Sequence, residues 1–134
     1  MVLIKQDTPA PKQVLVVDDS ETVRREIAQC LKLAGFTALE AGDGVAGLKL
    51  AQEQKVSLII LDVNMPRMNG LEMLEHLRMD WATANIPVVI LTTEAEELMI
   101  ERARKAGAKG WLIKPVTAEH VVQTAQAIAN RNPV

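Results

Sequence analysis

Polar side chains capable of phosphate or metal chemistry follow four short apolar runs of this sequence. They are Asp18 and Asp19 after 13–17, Asp62 after 57–61, Thr92 after 87–91, and Lys114 with Pro115 after 110–113. Each of these residues has an ordinary structural interpretation, such as a helix cap or a solvated loop side chain. Their recurrence at the ends of four apolar runs favours a shared site.

The carboxylates in this set predict a metal site if the first and third runs are neighbouring strands. Three clustered carboxylates cannot all stay ionised without a counter-charge. A hard cation with oxygen ligands and a few waters, Mg²⁺ above all, supplies that charge. The ammonium of Lys114 and the hydroxyl of Thr92 suit the oxygens of a metal-bound phosphate. An aspartate at such a site is also able to attack phosphorus and form an acyl phosphate.

The elements that must position these residues alternate along the chain. We predict strands at 13–17, 37–41, 57–61, 87–91 and 110–113, the first, third and fourth being almost entirely apolar. Helical periodicity fills the intervals; Ser20 is a candidate N-cap of the first helix, Gly35 marks its end, and Thr117 caps the fifth. Five alternating strands and helices predict an α/β domain with a parallel sheet covered on both faces. In such a sheet the carboxyl ends of all strands share one edge, where ligands bind.

Length and composition fit one small domain. The chain has 134 residues, a net charge of −2 and no basic stripe, so we expect neither a nucleic-acid partner nor a membrane span. The single cysteine, Cys30, suits a reducing, cytoplasmic location. We predict a flexible leader over 1–12, the domain over 13–130 and a tail over 131–134. Trp81 is expected to pack its loop against the third helix.

The motifs resemble a known family, the receiver domain of two-component response regulators, and in particular its stand-alone CheY-like type. The resemblance spans about residues 13–129. It rests on "VLVVDDS", "LIILDVNMPRMNGLEML", "PVVILTTE" and "AGAKGWLIKP". The family has a doubly wound, flavodoxin-like (βα)5 fold whose strand order is 2-1-3-4-5. That order is therefore implied by the resemblance.

The resemblance also implies a role for each site residue. Asp62 would accept a phosphoryl group from the phosphohistidine of a histidine kinase or phosphotransfer protein. The implied Mg²⁺ ligands are Asp19, Asp62 and the backbone carbonyl of Asn64, with Asp18 acting through water. The remaining implied roles are phosphoryl contact for Lys114 and Thr92, switching for Thr92 and Trp111, and a cis peptide bond between Lys114 and Pro115.

The same resemblance implies a signalling output. No helix-turn-helix or catalytic stretch follows the fifth helix, so we expect a phosphorylation-controlled contact with an effector protein on the face formed by helix 4, strand 5 and helix 5. The sequence leaves chemotaxis, twitching motility and a phosphorelay open.

Three alternatives carry weaker signals. An aspartyl-phosphate phosphatase would need a general acid two residues after Asp62, where this chain has Asn64. We therefore expect a slowly hydrolysing phosphoryl acceptor with self-catalysed chemistry, rather than a turnover enzyme. A flavin carrier would need a phosphate-cradling loop in place of "DDSET". A degenerate receiver would lack some of the five site residues, which are all present here.

Overall fold

A computed structural model describes residues 12–93 and 96–131, so the predicted leader (except Lys12) and the tail beyond Arg131 lie outside the described residues. The five strands are β1 (Gln13–Val17), β2 (Thr37–Ala41), β3 (Leu58–Asp62), β4 (Val88–Thr92) and β5 (Gly110–Ile113). The five helices are α1 (Glu21–Leu33), α2 (Gly44–Glu53), α3 (Gly70–Met79), α4 (Glu97–Lys105) and α5 (Ala118–Arg131). All strand pairs are parallel, in the order β2-β1-β3-β4-β5. The predicted fold class and strand order are confirmed.

The strand positions explain the apolar runs. Strands β3 and β4 lie inside the sheet, and every residue of both is buried, whereas β2 and β5 lie at its edges and are partly exposed. Strands β3 and β4 each end one residue later than the sequence predicted. Asp62 is the last residue of β3 and pairs with Leu91, and Thr92 is the last residue of β4 and pairs with Ile113. Hydropathy missed these positions because both side chains are polar although fully inside the ladder.

Two hydrophobic cores lie on opposite faces of the sheet. Side chains alternate along a strand, so Val14 and Val16 of β1 point to the α1 and α5 face, and Leu15 and Val17 point to the α2, α3 and α4 face. Burial on both faces fixes the register of the sheet, because a slip of one residue would exchange the two sets. The edge that carries the polar residues is thereby held in place.

Local hydrogen bonds fix where the helices begin. Ser20 caps α1 by accepting a hydrogen bond from the Val23 amide at 3.3 Å, so the helix starts two residues after Asp19. Asn69 and Glu72 form a capping box at α3. The hydroxyl of Thr117 accepts a hydrogen bond from the amide of His120 at 3.1 Å. These caps keep the loops at the polar edge short.

The prediction for Trp81 is wrong, because its side chain is 91% exposed. Polar contacts close this loop instead of the indole. The hydroxyl of Thr83 donates to the carbonyl of Leu77 at 2.7 Å, and Arg78 donates to the carbonyls of Ala84 and Ile86.

No helix in the described part of the chain combines the length and the apolar character that crossing a membrane requires.

The start of α3 approaches the end of β3 too closely for a side chain. A Cβ atom at Gly70 would lie 2.4 Å from the carbonyl oxygen of Asp62 and 2.8 Å from the Cα of Val63. Both are backbone atoms, so neither moves without displacing the strand. The amide of Gly70 also donates to the carbonyl of Val63 at 3.0 Å. Glycine at this position therefore sets the place of Asp62.

We expect Gly70→Ala to lower the free energy of unfolding by about 2 kcal/mol, because the added methyl group forces backbone atoms apart. Urea denaturation measures this loss. Gly42→Ala is the matched control, since its Cβ would meet only the flexible end of Arg24 at 3.5 Å. Equal stability of the two variants would show that the end of β3 yields easily to α3.

Candidate functional site

Three carboxylates meet at the carboxyl edge of the sheet. Asp18 follows β1, Asp19 is the next residue, and Asp62 ends β3, which is the neighbour of β1. Each contributes an oxygen to a group whose members lie within 4.8 Å of one another. Asp18 and Asp62 are buried and Asp19 is exposed. The juxtaposition follows from strand order, because β1 and β3 are adjacent in space but not in sequence.

Lys114, which follows the edge strand β5, contacts the cluster. Its ammonium lies 3.1 Å from Oδ2 of Asp18 and 3.3 Å from Oδ1 of Asp62. The backbone supports this placement, since the amide of Lys114 donates to the carbonyl of Thr92 at 2.7 Å and the Lys114–Pro115 peptide bond is cis. One ammonium therefore bridges two buried carboxylates.

The two buried carboxylates differ in how many of their oxygens are engaged. Oδ1 of Asp18 accepts a hydrogen bond from the amide of Ser20 at 2.9 Å, and its Oδ2 faces Lys114. Oδ1 of Asp62 receives both Lys114 and the amide of Asn64, the latter at 3.3 Å. Among the described residues, no protein donor contacts Oδ2 of Asp62 or the carboxylate of Asp19. These two carboxylates retain ligand capacity that Asp18 lacks.

The described side chains of the site carry more negative charge than positive charge. Burial, reinforced by the charge of Asp18, raises the pKa of Asp62 to about 6, although Lys114 acts in the opposite direction. Burial alone would lower the pKa of Lys114, but the charges of Asp62 and Asp18 outweigh it and the net shift is upward. One ammonium does not neutralise the cluster, which is therefore suited to a bound cation.

Thr92 and Trp111 lie on the same face of the sheet. Ile90 pairs with Trp111 and Thr92 pairs with Ile113, so Thr92 stands two residues beyond the partner of Trp111. Thr92 is completely buried. Trp111 is half-buried against the core of the α2, α3 and α4 face, and its buried indole N–H contacts no acceptor among the described residues.

Two contacts around the cluster were not predicted from the sequence. The side-chain amide of Asn64 donates to the hydroxyl of Thr93 at 2.8 Å and links the loops that follow β3 and β4. Arg24 donates to the backbone carbonyl of Asp18 at 2.9 Å. The sequence predicted a backbone carbonyl ligand at Asn64 and the absence of a general acid there, but not this side-chain hydrogen bond. The position of Arg24, one helical turn after the N-cap of α1, is the sequence signal that would have drawn attention to it.

Comparison with known proteins assigns the chain and its fold to a family. A family model described as the response regulator receiver domain matches residues 14–126. The chain is 35% identical over 120 residues to the chemotaxis protein CheY of Pseudomonas aeruginosa, covering 89% of this chain and 97% of that protein. The structure of the chemotaxis protein CheY4 of Vibrio cholerae matches with a TM-score of 0.84 and 37% identity, over 89% of this chain and 99% of that one.

A second kind of relative is longer. The chain is 33% identical over 127 residues to the transcriptional regulatory protein PdtaR of Mycobacterium tuberculosis, which covers 93% of this chain. It spans only 60% of the length of PdtaR. The family match, the strand order and the clustered aspartates agree, and the chain belongs to the response regulator receiver domain family.

Proposed function

We propose that this chain is a response regulator that accepts a phosphoryl group on Asp62 from the phosphohistidine of a sensor kinase or phosphotransfer protein, in a Mg²⁺-dependent reaction. The observation that carries the proposal is the environment of Asp62. Its carboxylate is buried beside two further carboxylates, and a single ammonium lies 3.3 Å away. This arrangement provides a nucleophile, a cation site and a group that contacts phosphoryl oxygens.

The donor set fits a magnesium ion. All the candidate side-chain ligands are carboxylate oxygens, which hard divalent cations prefer. Both oxygens of Asp18 already have protein partners, so Asp19 and Asp62 would hold the ion directly and Asp18 would act through water. The backbone carbonyl of Asn64 would add a further ligand. Bound Mg²⁺ would neutralise these carboxylates and orient the phosphoryl oxygens.

The protein groups divide the transfer among them. The Asp62 carboxylate attacks phosphorus, the P–N bond of the phosphohistidine breaks, and the imidazole leaves with the bonding electrons. Lys114 lies beside Asp62 and is placed to donate a hydrogen bond to an incoming phosphoryl oxygen. Asn64 cannot act as a general acid for hydrolysis of the acyl phosphate. Slow, self-catalysed dephosphorylation without enzymatic turnover is the expected consequence.

The output is a contact with an effector protein on the face formed by α4, β5 and α5. Ile100 of α4, which lines a pocket with Trp111 of β5, exposes 37% of its surface, and Ile113 of β5 exposes 49%, so apolar side chains are accessible on this face. Identity above one third to two chemotaxis proteins supports a role in chemotaxis or motility. The name of PdtaR supports transcriptional signalling for that longer protein.

Phosphorylation with acetyl phosphate and Mg²⁺ should add one phosphoryl group to the wild type and none to Asp62→Asn. Intact-mass spectrometry measures the gain, which should disappear when EDTA replaces Mg²⁺. Asp80→Asn is the matched control, since Asp80 follows α3 at the opposite edge of the sheet and should label normally. Continued labelling of Asp62→Asn would place the acceptor elsewhere.

Asp62→Asn should stabilise the metal-free protein at about pH 8, on the order of 2 kcal/mol. The folded-state pKa of Asp62, about 6, exceeds the ordinary 3.8, so the folded state binds the proton more tightly. In the wild type, this tighter proton binding stabilises the folded state at low pH, and the stabilisation is lost as the pH rises from about 4 to about 6. The advantage of the variant should therefore shrink at acidic pH.

Urea denaturation in EDTA, at about pH 8 and at acidic pH, measures the difference in stability between Asp62→Asn and the wild type. The control is Asp19→Asn, which removes the same charge from an exposed position and should give a clearly smaller gain. An equal gain in stability for Asp62→Asn at the two pH values would contradict a raised pKa of the Asp62 carboxylate in the folded protein.

Beryllofluoride, a phosphoryl mimic, should shift the emission of Trp111 to shorter wavelength in a Trp81→Phe background. The added charge on Asp62 draws Thr92 toward it, and the vacated space on the same face admits the indole. Thr92→Ala should abolish the shift while beryllofluoride still binds. An unchanged emission at saturation would mean that the protein switches by another movement.

A further inference from the structure

Arg24 of α1 connects the ends of β1 and β2 next to the acidic pair. Its Nη1 donates to the backbone carbonyl of Asp18 at 2.9 Å, and its Nε lies 3.1 Å from Oε1 of Glu40 in β2. The Arg24 side chain is only 16% exposed and that of Glu40 is 30% exposed. The amide of Asp18 donates to the carbonyl of Ala41 at 3.1 Å. The Asp18 backbone is thus held on both sides.

We propose that Arg24 is a positioning residue of the metal site: it fixes the backbone that directs the Asp19 carboxylate toward Asp62. Asp19 is exposed, and its side chain has no protein partner among the described residues, so the backbone sets its direction. On one side of it, the Asp18 carbonyl accepts from Arg24; on the other, Ser20 caps α1. This inference rests on the proposed function, since it concerns the same Mg²⁺ site.

The charge of Arg24 allows positioning to be separated from electrostatics. A guanidinium near a cation site weakens cation binding by repulsion, and removing it should then tighten binding. If Arg24 positions the acidic pair, its removal should weaken binding in spite of the lost repulsion. Glu40 offsets the guanidinium charge, which leaves its geometry as the dominant contribution. The planar guanidinium satisfies a carbonyl and a carboxylate at once, which an ammonium does not do with the same fixed geometry.

Arg25 is a matched control on the same helix. Its guanidinium is 69% exposed and pairs with Glu21 at 2.8 Å, one turn earlier on α1. Arg25→Met removes the same charge one residue away without touching the loop of the acidic pair.

The test is a MgCl₂ titration of the ¹⁵N-labelled full chain, followed through backbone amide shifts. Arg24→Met and Arg24→Lys should both raise the Kd for Mg²⁺ roughly tenfold, as loss of an outer-shell partner does at metal sites. Arg25→Met should match the wild type. At saturating Mg²⁺ the rate of labelling by acetyl phosphate should return to the wild-type value, because Asp62 and Lys114 are intact. A positioning role is indicated if the variant needs more Mg²⁺ for half-saturation but keeps the wild-type labelling rate at saturation. A general loss of structure would lower that rate as well.

The outcomes that overturn the proposal are distinct. A wild type that does not bind Mg²⁺ would remove the proposed metal site itself. Wild-type binding, together with unchanged or tighter binding by Arg24→Met, would leave that site intact and refute the role of Arg24. If Arg24→Met does not fold, Arg24→Lys decides the matter, because it keeps the positive charge: wild-type affinity would refute the proposal, and weaker binding would support it.

Discussion

Two buried carboxylates that share one ammonium are the constraint on which this site depends. Asp18 follows β1 and Asp62 ends the neighbouring β3, and among the described residues Lys114 is the one cation that contacts both carboxylates. Left in this state, the cluster is destabilising, because burial and mutual repulsion oppose ionisation. The two apolar cores and the fixed register of the sheet hold the carboxylates together against that cost.

The same imbalance underlies the chemistry of the proposed function. A bound cation would neutralise the carboxylate charge that Lys114 does not balance. A phosphoryl group could then approach the nucleophilic Asp62 carboxylate, which would otherwise repel it. In the proposed transfer, the phosphoryl group would then bring negative charge back to Asp62. A new hydrogen bond from Thr92 is the nearest way to accommodate it, and Thr92 shares its face of the sheet with Trp111. In this proposal, charge at the acceptor would be connected to packing at the edge of the sheet.

Local pattern was sufficient for most of the fold, since continuous apolar runs, caps and glycines predicted every strand and the cap of α1. It failed where tertiary geometry decides the outcome. The strand ends at Asp62 and Thr92 are polar residues inside a ladder, so hydropathy ended those strands early. The exposure of Trp81 depends on Thr83 and Arg78 closing its loop with polar contacts. Strand order came from family resemblance, because alternation alone does not set the order of strands in a sheet.

The packing around the site is more constrained on the acceptor side than at the amino-terminal end of α4. On the acceptor side, Gly70 lets α3 contact the end of β3 directly, and Arg24 and Ser20 hold the loop of the acidic pair. On the output side, Glu96 is the N-cap of α4 and its side chain makes no capping hydrogen bond. The other end of α4 is anchored, because Arg78 donates to the carbonyl of Ala106 at 2.7 Å. In the proposed switch, a displacement of Thr92 would therefore be accommodated more readily at the uncapped amino-terminal end of α4 than at the contacts of Gly70, Arg24 and Ser20.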